Sequence, residues 1–385
     1  MPTVDAIAAA VDSAVLTPIV RQALNEPRAE IGEWTCKQLQ VVSGLPDYRG
    51  LFRFKGSAEV GGDVKPWSAI LKVARRHPTA SDNPAHSGFW NREALAFRSG
   101  LLSDLPGLTA VRCYDITETK GSTFVFWLED LVDEYENGWP LERYGLAARH
   151  LGQMGGAYLE KRTLPDQDWL LRRPGGAGGG GGWAAAGALI NDERTWQHPD
   201  VKRAYPEPIA ERLKQQWADR RAFQNAIARL PTTLCHNDSH TENLFSRSRE
   251  DGTQETVAID WELVGIGPLS GDITYLVIAT LRRMAVDMKD ADALEDAVLD
   301  GYVAGLRDAG WSGDERAVRL GFTAAVASRL GLVPQTLDLI LNEQRREQVE
   351  RSWHRPVEEV IKRWAQVAYF VLDRADRARQ MLAAR

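Results

Sequence analysis

Residues 234–245 read LCHNDSHTENLF, and residues 257–262 read VAIDWE. Each segment is an apolar run that leads into a carboxylate, Asp238 in the first and Asp260 in the second, with a polar turn between them. Two short strands joined by such a turn would form a small hairpin. One end of it would then carry Asp238, Asn243 and Asp260, an arrangement that suits a divalent cation beside a general base.

The residue types at this end of the hairpin favour magnesium. Mg²⁺ prefers oxygen ligands and typically takes one or two carboxylates plus substrate phosphates. Asn243 and Asp260 are the natural ligands, which leaves Asp238 to accept a proton from an incoming hydroxyl. His236, Asp238 and His240 also allow a second interpretation, a metal-dependent hydrolase. A catalytic zinc needs three protein ligands and an open position, and no second histidine cluster completes that shell.

Composition narrows the class of protein. The chain of 385 residues is 44% hydrophobic and 26% charged, which is typical of a globular protein long enough for two lobes. A net charge of −6 argues against a nucleic-acid partner, because binding phosphates needs a basic face. No apolar stretch approaches the roughly 20 residues that span a bilayer, and residues 1–10 do not resemble a secretory signal. Isolated Cys36, Cys113 and Cys235 favour a reduced, cytoplasmic protein without a membrane partner.

Apolar periodicity predicts an α+β protein. Residues 1–34 are expected to be a helical extension, residues 35–130 a strand-rich section, and residues 131–385 mostly helical. Strands are predicted over residues 38–42, 51–55, 67–73, 111–116 and 123–128, with one helix over residues 89–97. Later helices are predicted over residues 141–159, 208–230, 273–284, 291–309, 315–330 and 357–382.

A glycine tract interrupts the helical part of the chain. Seven of the eight residues from Gly175 to Gly182 are glycine. Ordering such a run into a helix or strand costs much conformational entropy, so we expect a flexible loop or internal linker. The tract contains a GxGxxG pattern, but no predicted strand precedes it, which argues against a dinucleotide-binding turn.

The motif around Asp238 is similar to that of a known enzyme class. Residues 236–243 resemble the HxDxxxxN catalytic loop of protein-kinase-like phosphotransferases, and residues 259–262 resemble their metal-binding strand end, written IDWE here. Together with residues 271–276, this pattern resembles the aminoglycoside phosphotransferase and choline kinase family. The resemblance covers roughly residues 35–330. It implies a two-lobed protein-kinase-like fold, with a five-stranded antiparallel sheet and one helix in the nucleotide-binding lobe (residues 35–130) and a mostly helical C-terminal catalytic and acceptor-binding lobe (residues 131–385) with a small catalytic hairpin.

The resemblance also implies roles for single residues. In the C-terminal lobe Asp238 matches the catalytic base, with His236 supporting its loop, and Asn243 and Asp260 match the Mg²⁺ ligands. Asp272 matches an aspartate that tethers the catalytic loop.

The nucleotide, ATP or GTP, is expected to contact the N-terminal lobe. Lys72, in the middle of a predicted strand, matches the lysine that contacts the phosphates, and Glu93 matches the glutamate that pairs with it. The remaining matches are Ser43 and Gly44 in the loop over the phosphates, and Glu129 and Leu131 on the connection between lobes, where backbone groups hold the adenine.

The resulting prediction is an ATP- and Mg²⁺-dependent enzyme that phosphorylates a hydroxyl of a small molecule. The expected acceptor is an aminoglycoside or other antibiotic, an amino sugar, a sugar or an amino alcohol. Acidic residues 129–136 could attract an amine-bearing acceptor. A catalytically silent, nucleotide-binding regulatory module stays open as an alternative, whereas protein phosphorylation is disfavoured because little room for an activation loop follows Asp260.

Overall fold

The described part of the chain divides into two compact units. The computed structural model describes residues 3–39, 48–119, 123–135, 138–172, 183–206 and 209–384. One unit comprises Met1–Asp104 with Thr109–Asp133, and the other comprises Leu105–Leu108 with Glu134–Arg385. The predicted phosphate loop with Ser43 and Gly44, and the glycine tract Gly175–Gly182, lie outside the described residues.

The first unit is built on one antiparallel sheet. Its elements are α1 (Val4–Ala9), α2 (Ser13–Leu24), β1 (Glu30–Gln38), β2 (Arg49–Val60), β3 (Asp63–Arg75), α3 (Arg92–Arg98), β4 (Leu108–Ala110, shared with the second unit), β5 (Cys113–Thr119) and β6 (Thr123–Glu129). Five of these strands pair in the order β1-β2-β3-β6-β5, and every pairing is antiparallel. The predicted five-stranded sheet with one inserted helix is therefore confirmed.

The alternation of side chains along β3 explains how the sheet is covered. Successive residues of a strand point to opposite faces. One face of β3 packs in a core with Leu16 and Ile19 of α2, and the opposite face carries Lys72. The core residues of β3 are Trp67, Ala69, Leu71 and Val73.

The helical start of the chain is shorter than the 34 residues expected. Asn25 follows α2 in the left-handed conformation, with φ of 53°, and its N–H caps the helix by donating to the carbonyls of Arg21 and Gln22. Asn tolerates this conformation better than most residues. The first strand then begins at Glu30.

The second unit is mostly helical, as predicted. Its helices are α4 (Leu141–Glu160), α5 (Trp183–Asn191), α6 (Glu193–Gln197), α7 (Pro199–Ala204), α8 (Ala210–Ala228), α9 (Gly271–Arg282), α10 (Ala291–Asp308), α11 (Glu315–Ala327), α12 (Leu332–Leu341), α13 (Glu343–Trp353) and α14 (Val357–Ala383). Its strands are β7 (Leu171–Arg172), β8 (Thr232–Cys235), β9 (Leu244–Ser248), β10 (Gln254–Ala258) and β11 (Gly265–Pro268), with short 3₁₀ helices at Trp261–Leu263 and Met288–Asp290.

The predicted hairpin is formed by β9 and β10. These strands pair antiparallel from Leu244 opposite Ala258 to Ser248 opposite Gln254. The preceding strand β8 belongs to a different sheet, in which it pairs with β11. The loop between β8 and β9 therefore joins two sheets.

Helices α4 and α10 are in backbone contact through glycines. A Cβ atom added at Gly305 would lie 1.9 Å from the carbonyl oxygen of Arg149, and one added at Gly301 would lie 2.0 Å from that of Gly145. No side chain fits at either position. On the same helix α4, the carbonyl of Gly155 accepts a hydrogen bond of 2.7 Å from Thr233 of β8. The close helix pair is thus a support for the strand that leads into the predicted catalytic loop.

One segment is apolar enough to be compared with a membrane span. Judged by length and composition alone, Glu315–Leu341 is long and apolar enough to cross a membrane, with a mean hydropathy of 1.2. It comprises α11 and α12, and 61% of the window is buried inside the protein. Core helices satisfy the same criteria, so the segment is weak evidence for membrane insertion.

We predict that Gly305→Ala destabilises the protein by about 3 kcal/mol, because the added methyl overlaps the backbone of α4. Gly187→Ala is the matched control in α5: its nearest neighbour would be Trp217 at 3.9 Å, so we expect no loss and a gain of up to about 1 kcal/mol from helix propensity. Urea unfolding followed by circular dichroism measures both. Equal stability of the two variants would contradict the close packing of α4 on α10.

Candidate active site

Asp272 holds the loop between β8 and β9. Its carboxylate accepts the backbone N–H groups of His236 at 3.0 Å and Asn237 at 2.6 Å. Its own carbonyl accepts the hydroxyl of Ser239 at 2.7 Å. Burial raises the pKa of Asp272, while the charge of His236 and the two N–H donors act in the opposite direction. Through these bonds, the first turn of α9 fixes the backbone that carries Asp238.

His236 joins this loop to the segment that carries Asp260. Its Nε2 lies 2.8 Å from the carbonyl oxygen of Ile259, and its Nδ1 lies 3.2 Å from the backbone nitrogen of Asp238. The ring also packs against Trp261, with 4.5 Å between centroids. Both ring nitrogens are thus engaged by backbone groups, and metal ligation by His236 would break one of these bonds. Among the described residues, no group of three His, Cys, Asp or Glu side chains is placed to hold a metal.

The carboxylate of Asp238 is oriented by Asn243. The side-chain nitrogen of Asn243 donates to Oδ2 of Asp238 at 2.9 Å and to its backbone carbonyl at 3.0 Å. Nε2 of His240 lies 3.7 Å from the same Oδ2. Burial acts to raise the pKa of Asp238, but the hydrogen bond from His240 and the charges of His240 and His236 outweigh it, so that the pKa is lowered. The group is an ionised acceptor at neutral pH.

Asn243 and Asp260 both lie at the open end of the hairpin, next to the last paired residues Leu244 and Ala258. The N–H of Ile259 donates to the carbonyl of Asn243 at 2.9 Å. Asp260 is the next residue after Ile259, so this bond places it near Asn243. Asp260 has a left-handed backbone, with φ of 59°. Because the amide nitrogen of Asn243 faces Asp238, its side-chain oxygen is the end that can bind a cation. A carboxamide and a carboxylate oxygen form a donor set that fits Mg²⁺.

A buried arginine of α4 clamps the hairpin from behind. Arg143 is only 1% exposed. Its guanidinium donates to the hydroxyl of Thr256 at 2.8 Å and to the carbonyl of Glu255 at 3.2 Å, and it lies 4.4 Å from the centroid of the Trp139 ring. His150, two turns along α4, bonds the same hydroxyl at 2.8 Å. The pair therefore ties α4 to β10.

Sequence reasoning did not single out Arg143 or His150, although a signal was present. Both lie on the buried face of α4, where apolar residues are expected. A charged or imidazole side chain at a core position of a helix usually has a buried partner. This departure from the apolar pattern could have marked them.

In the first unit, Lys72 and Glu93 form an ion pair. Nζ of Lys72 lies 2.8 Å from the Glu93 carboxylate, and the two side chains are 14% and 5% exposed. Glu93 comes from the first turn of α3. The structure thus brings together two residues, 21 positions apart, that the family resemblance paired.

The remaining predicted nucleotide contacts lie at the end of β6, just after it, or outside the described residues. Glu129 ends β6, and its carboxylate accepts the N–H of Arg112 at 3.3 Å. Leu131 follows in a segment without regular structure. Sequence reasoning missed the ion pair of 2.9 Å between Asp130 and Arg53.

Residues 134–314 match the model of the phosphotransferase enzyme family. Among solved structures, the chain resembles the aminoglycoside phosphotransferase from Alicyclobacillus acidocaldarius subsp. acidocaldarius at 14% identity and a TM-score of 0.50, covering 90% of this chain and 93% of that one. This likeness supports the predicted protein-kinase-like fold.

Two further similar structures are an amicoumacin kinase and the choline kinase from Cryptosporidium parvum. The first, in complex with AMP-PNP and Ca²⁺, has 13% identity and a TM-score of 0.46, covering 93% of this chain and 96% of that one. The second has 12% identity and a TM-score of 0.46, and covers 97% of each chain. A comparison with curated proteins found no match.

We predict that Arg143→Met destabilises the protein by about 3 kcal/mol, because it leaves buried acceptors of the hairpin without their donor. Hydrogen exchange should quicken first in residues 244–248 and 254–258. Arg149→Met, on the same helix, removes a half-exposed pair with Asp308 and should cost less than about 1 kcal/mol. Unchanged exchange in the hairpin of the Arg143 variant would refute the clamp.

Proposed function

We propose that the chain, of which residues 134–314 match the model of the phosphotransferase enzyme family, transfers the γ-phosphoryl group of ATP or GTP to a hydroxyl of a small molecule. The observation that carries this proposal is the position of the Asp238 carboxylate, which Asn243 orients and the loop tethered by Asp272 supports. A carboxylate held in this way can accept a hydrogen bond from an alcohol and then its proton.

In the proposed reaction, the acceptor oxygen attacks the γ-phosphorus while its proton passes to Asp238. The bond between the γ-phosphorus and the bridging oxygen breaks, and the nucleoside diphosphate leaves with that oxygen. Phosphoryl transfer depends mainly on positioning and charge neutralisation. The role of Asp238 is therefore to orient the hydroxyl first and to take the proton as the new bond forms.

We propose that Asn243 and Asp260 hold Mg²⁺, because their oxygens lie at the same end of the hairpin and fit its donor preference. Bound there, Mg²⁺ would neutralise charge on the phosphate oxygens. The bond between Ile259 and Asn243 keeps the two ligands together. His236 supports the same geometry through Ile259 and touches neither reacting group in the proposal.

We propose that Lys72 binds phosphate oxygens of the nucleotide. An ammonium beside a buried carboxylate is held in one position rather than sweeping through solvent, and Glu93 provides that anchor. By the same family resemblance, backbone groups at Glu129 and Leu131 contact the base, and Ser43 and Gly44 contact the phosphates.

The acceptor in this proposal is a small hydroxylated molecule, and the setting is the cytoplasm. Cys36, Cys113 and Cys235 are isolated in the sequence and have no CxxC spacing, which favours a reducing compartment. The net charge of −6 is unfavourable for binding nucleic acid.

We predict that Asp238→Asn lowers phosphoryl transfer at least 100-fold, since the amide cannot take the proton, while nucleotide affinity changes less than threefold. Asp296→Asn on α10, exposed, is the matched control and should retain wild-type rates. Transfer is measured as nucleotide consumption over a panel of aminoglycosides, macrolides, sugars, amino alcohols and nucleosides. Wild-type turnover by Asp238→Asn would remove the assigned base, and nucleotide binding without consumption over the whole panel would favour the silent regulatory module.

We predict that Asp260→Asn raises the Mg²⁺ concentration needed for half-maximal nucleotide binding at least tenfold, because one anionic ligand is lost. A fluorescent ATP analogue titrated with Mg²⁺ gives this value without any need for an acceptor. The Asp296→Asn control should titrate like the wild type. An unaltered Mg²⁺ requirement in Asp260→Asn would disprove the metal assignment.

A further inference from the structure

A chain of ring contacts leads away from Asp238 within the second unit. His240, 3.7 Å from the Asp238 carboxylate, packs on Tyr275 of α9 with 5.7 Å between ring centroids. The guanidinium of Arg329 then lies 5.2 Å from the centroid of Tyr275. The surroundings of the proposed base therefore become positively charged along α9.

Two more arginines end the same helix. Arg282 is the last residue of α9, and Arg283 follows it. Seven residues separate Tyr275 from Arg282, which is two turns, so both lie on one helix face about 10 Å apart along the axis. Arg283 forms an ion pair with Glu242 of the catalytic loop.

Arg282 carries a positive charge at a shielded position. Its guanidinium lies 4.3 Å from the centroid of the Trp364 ring and donates to Gln335 at 3.0 Å. Its Nε is buried and has no hydrogen-bond partner among the described residues. Burial, together with the charges of Arg329 and Arg283, lowers its pKa to about 10. Neighbouring cations in a shielded place repel one another, and an anion between them would offset that cost.

Two of the acidic residues expected to attract an amine, Glu134 and Asp130, form other contacts. Glu134 accepts the backbone N–H of Ser248 at 2.5 Å and its hydroxyl at 3.1 Å. Asp130 pairs with Arg53 in the first unit, and Glu136 lies outside the described residues. Apart from Asp272 in its first turn, the charged residues of α9 and of the position after it are arginines, Arg282 and Arg283.

We propose that the acceptor carries an anionic group, a carboxylate or a phosphate ester, which Arg282 and Arg329 bind while its hydroxyl lies at Asp238. This inference rests on the proposed phosphotransfer at that site and names the class of acceptor. Paired guanidinium donors suit carboxylate and phosphate oxygens alike.

The first test compares related sugars that carry no charge, an amine or an anionic group. D-glucose, D-glucosamine, D-glucuronate and D-glucose 6-phosphate are assayed with ATP and Mg²⁺. The disaccharides cellobiose and cellobionate are included as acceptors with a longer distance between hydroxyl and anion. We expect at least a tenfold higher kcat/KM for anionic members than for their neutral and amine counterparts, with glucuronate and glucose 6-phosphate separating carboxylate from phosphate. Equal or higher values for glucosamine would overturn the inference while leaving the phosphotransfer intact.

The second test does not require turnover. Thermal melting is followed with cellobionate or glucose 6-phosphate at constant ionic strength set by sodium chloride. We expect saturable stabilisation that weakens at least tenfold in Arg282→Gln and Arg329→Gln and persists in Arg282→Lys and in exposed Arg316→Gln of α11. Arg329→Gln, at a half-buried site, serves if Arg282→Gln fails to fold.

The two tests separate the two proposals. Saturable binding that depends on Arg282 or Arg329, in a protein that binds no nucleotide, would support the anion site and refute the phosphotransfer. Equal stabilisation of the wild type and the glutamine variants would refute the anion site, and would leave the arginines as cations that favour the C-terminal end of the α9 dipole.

Discussion

The geometry of the proposed catalytic loop depends on one buried carboxylate. Asp272 accepts two consecutive backbone N–H groups, and the backbone between β8 and Asp238 has no strand partner to fix it. Burying a charge is costly unless hydrogen bonds compensate for it, and here those bonds are the ones that order the loop. The same two hydrogen bonds thus compensate for the burial of Asp272 and hold the loop in place. Its position in the first turn of α9 also favours the charge.

A second set of contacts fixes the end of the hairpin that is proposed to bind the metal. The hairpin meets α4 through Arg143 and His150, and α4 is itself pressed against α10 by residues that have no side chain. Packed elements of this kind are close to rigid. The positions of Asn243 and Asp260 therefore depend on the packing of α4 on α10, although neither residue lies on these helices. His236 links the same hairpin to the loop of Asp238.

Sequence reasoning reached the parts of the protein that depend on local pattern. The alternating run of β3 and the helical stripe of α4 predicted elements close to those observed, and the motif spacing brought Asp238, Asn243 and Asp260 into one segment. Contacts that depend on tertiary packing were beyond it. Arg143 could be recognised only as a polar residue on an apolar face, and its partner Thr256 lies more than 100 positions away. The cluster around Arg282 combines α9 with a residue after α11, and no periodicity links these two.

Helices α5 to α7 and α12 to α13 were not predicted for a related reason. They are short or strongly polar, so their apolar stripes are brief, and their stability comes from packing in a core shared with α14. Propensity alone rarely decides such segments. Predicted element boundaries were wrong where a single residue ends the element, as Asn25 does after α2.

The glycine contact between α4 and α10 bears on how such a protein can change its substrate. Positions that exclude even a methyl group cannot take part in adaptation, so the support behind the hairpin stays constant while other surfaces vary. The arginines at the end of α9 and after α11 lie on other segments and bear none of that packing. If these arginines select the acceptor as proposed, exchanging charges at their positions, in a laboratory or by natural drift, alters acceptor preference without rebuilding the groups that are proposed to move the proton.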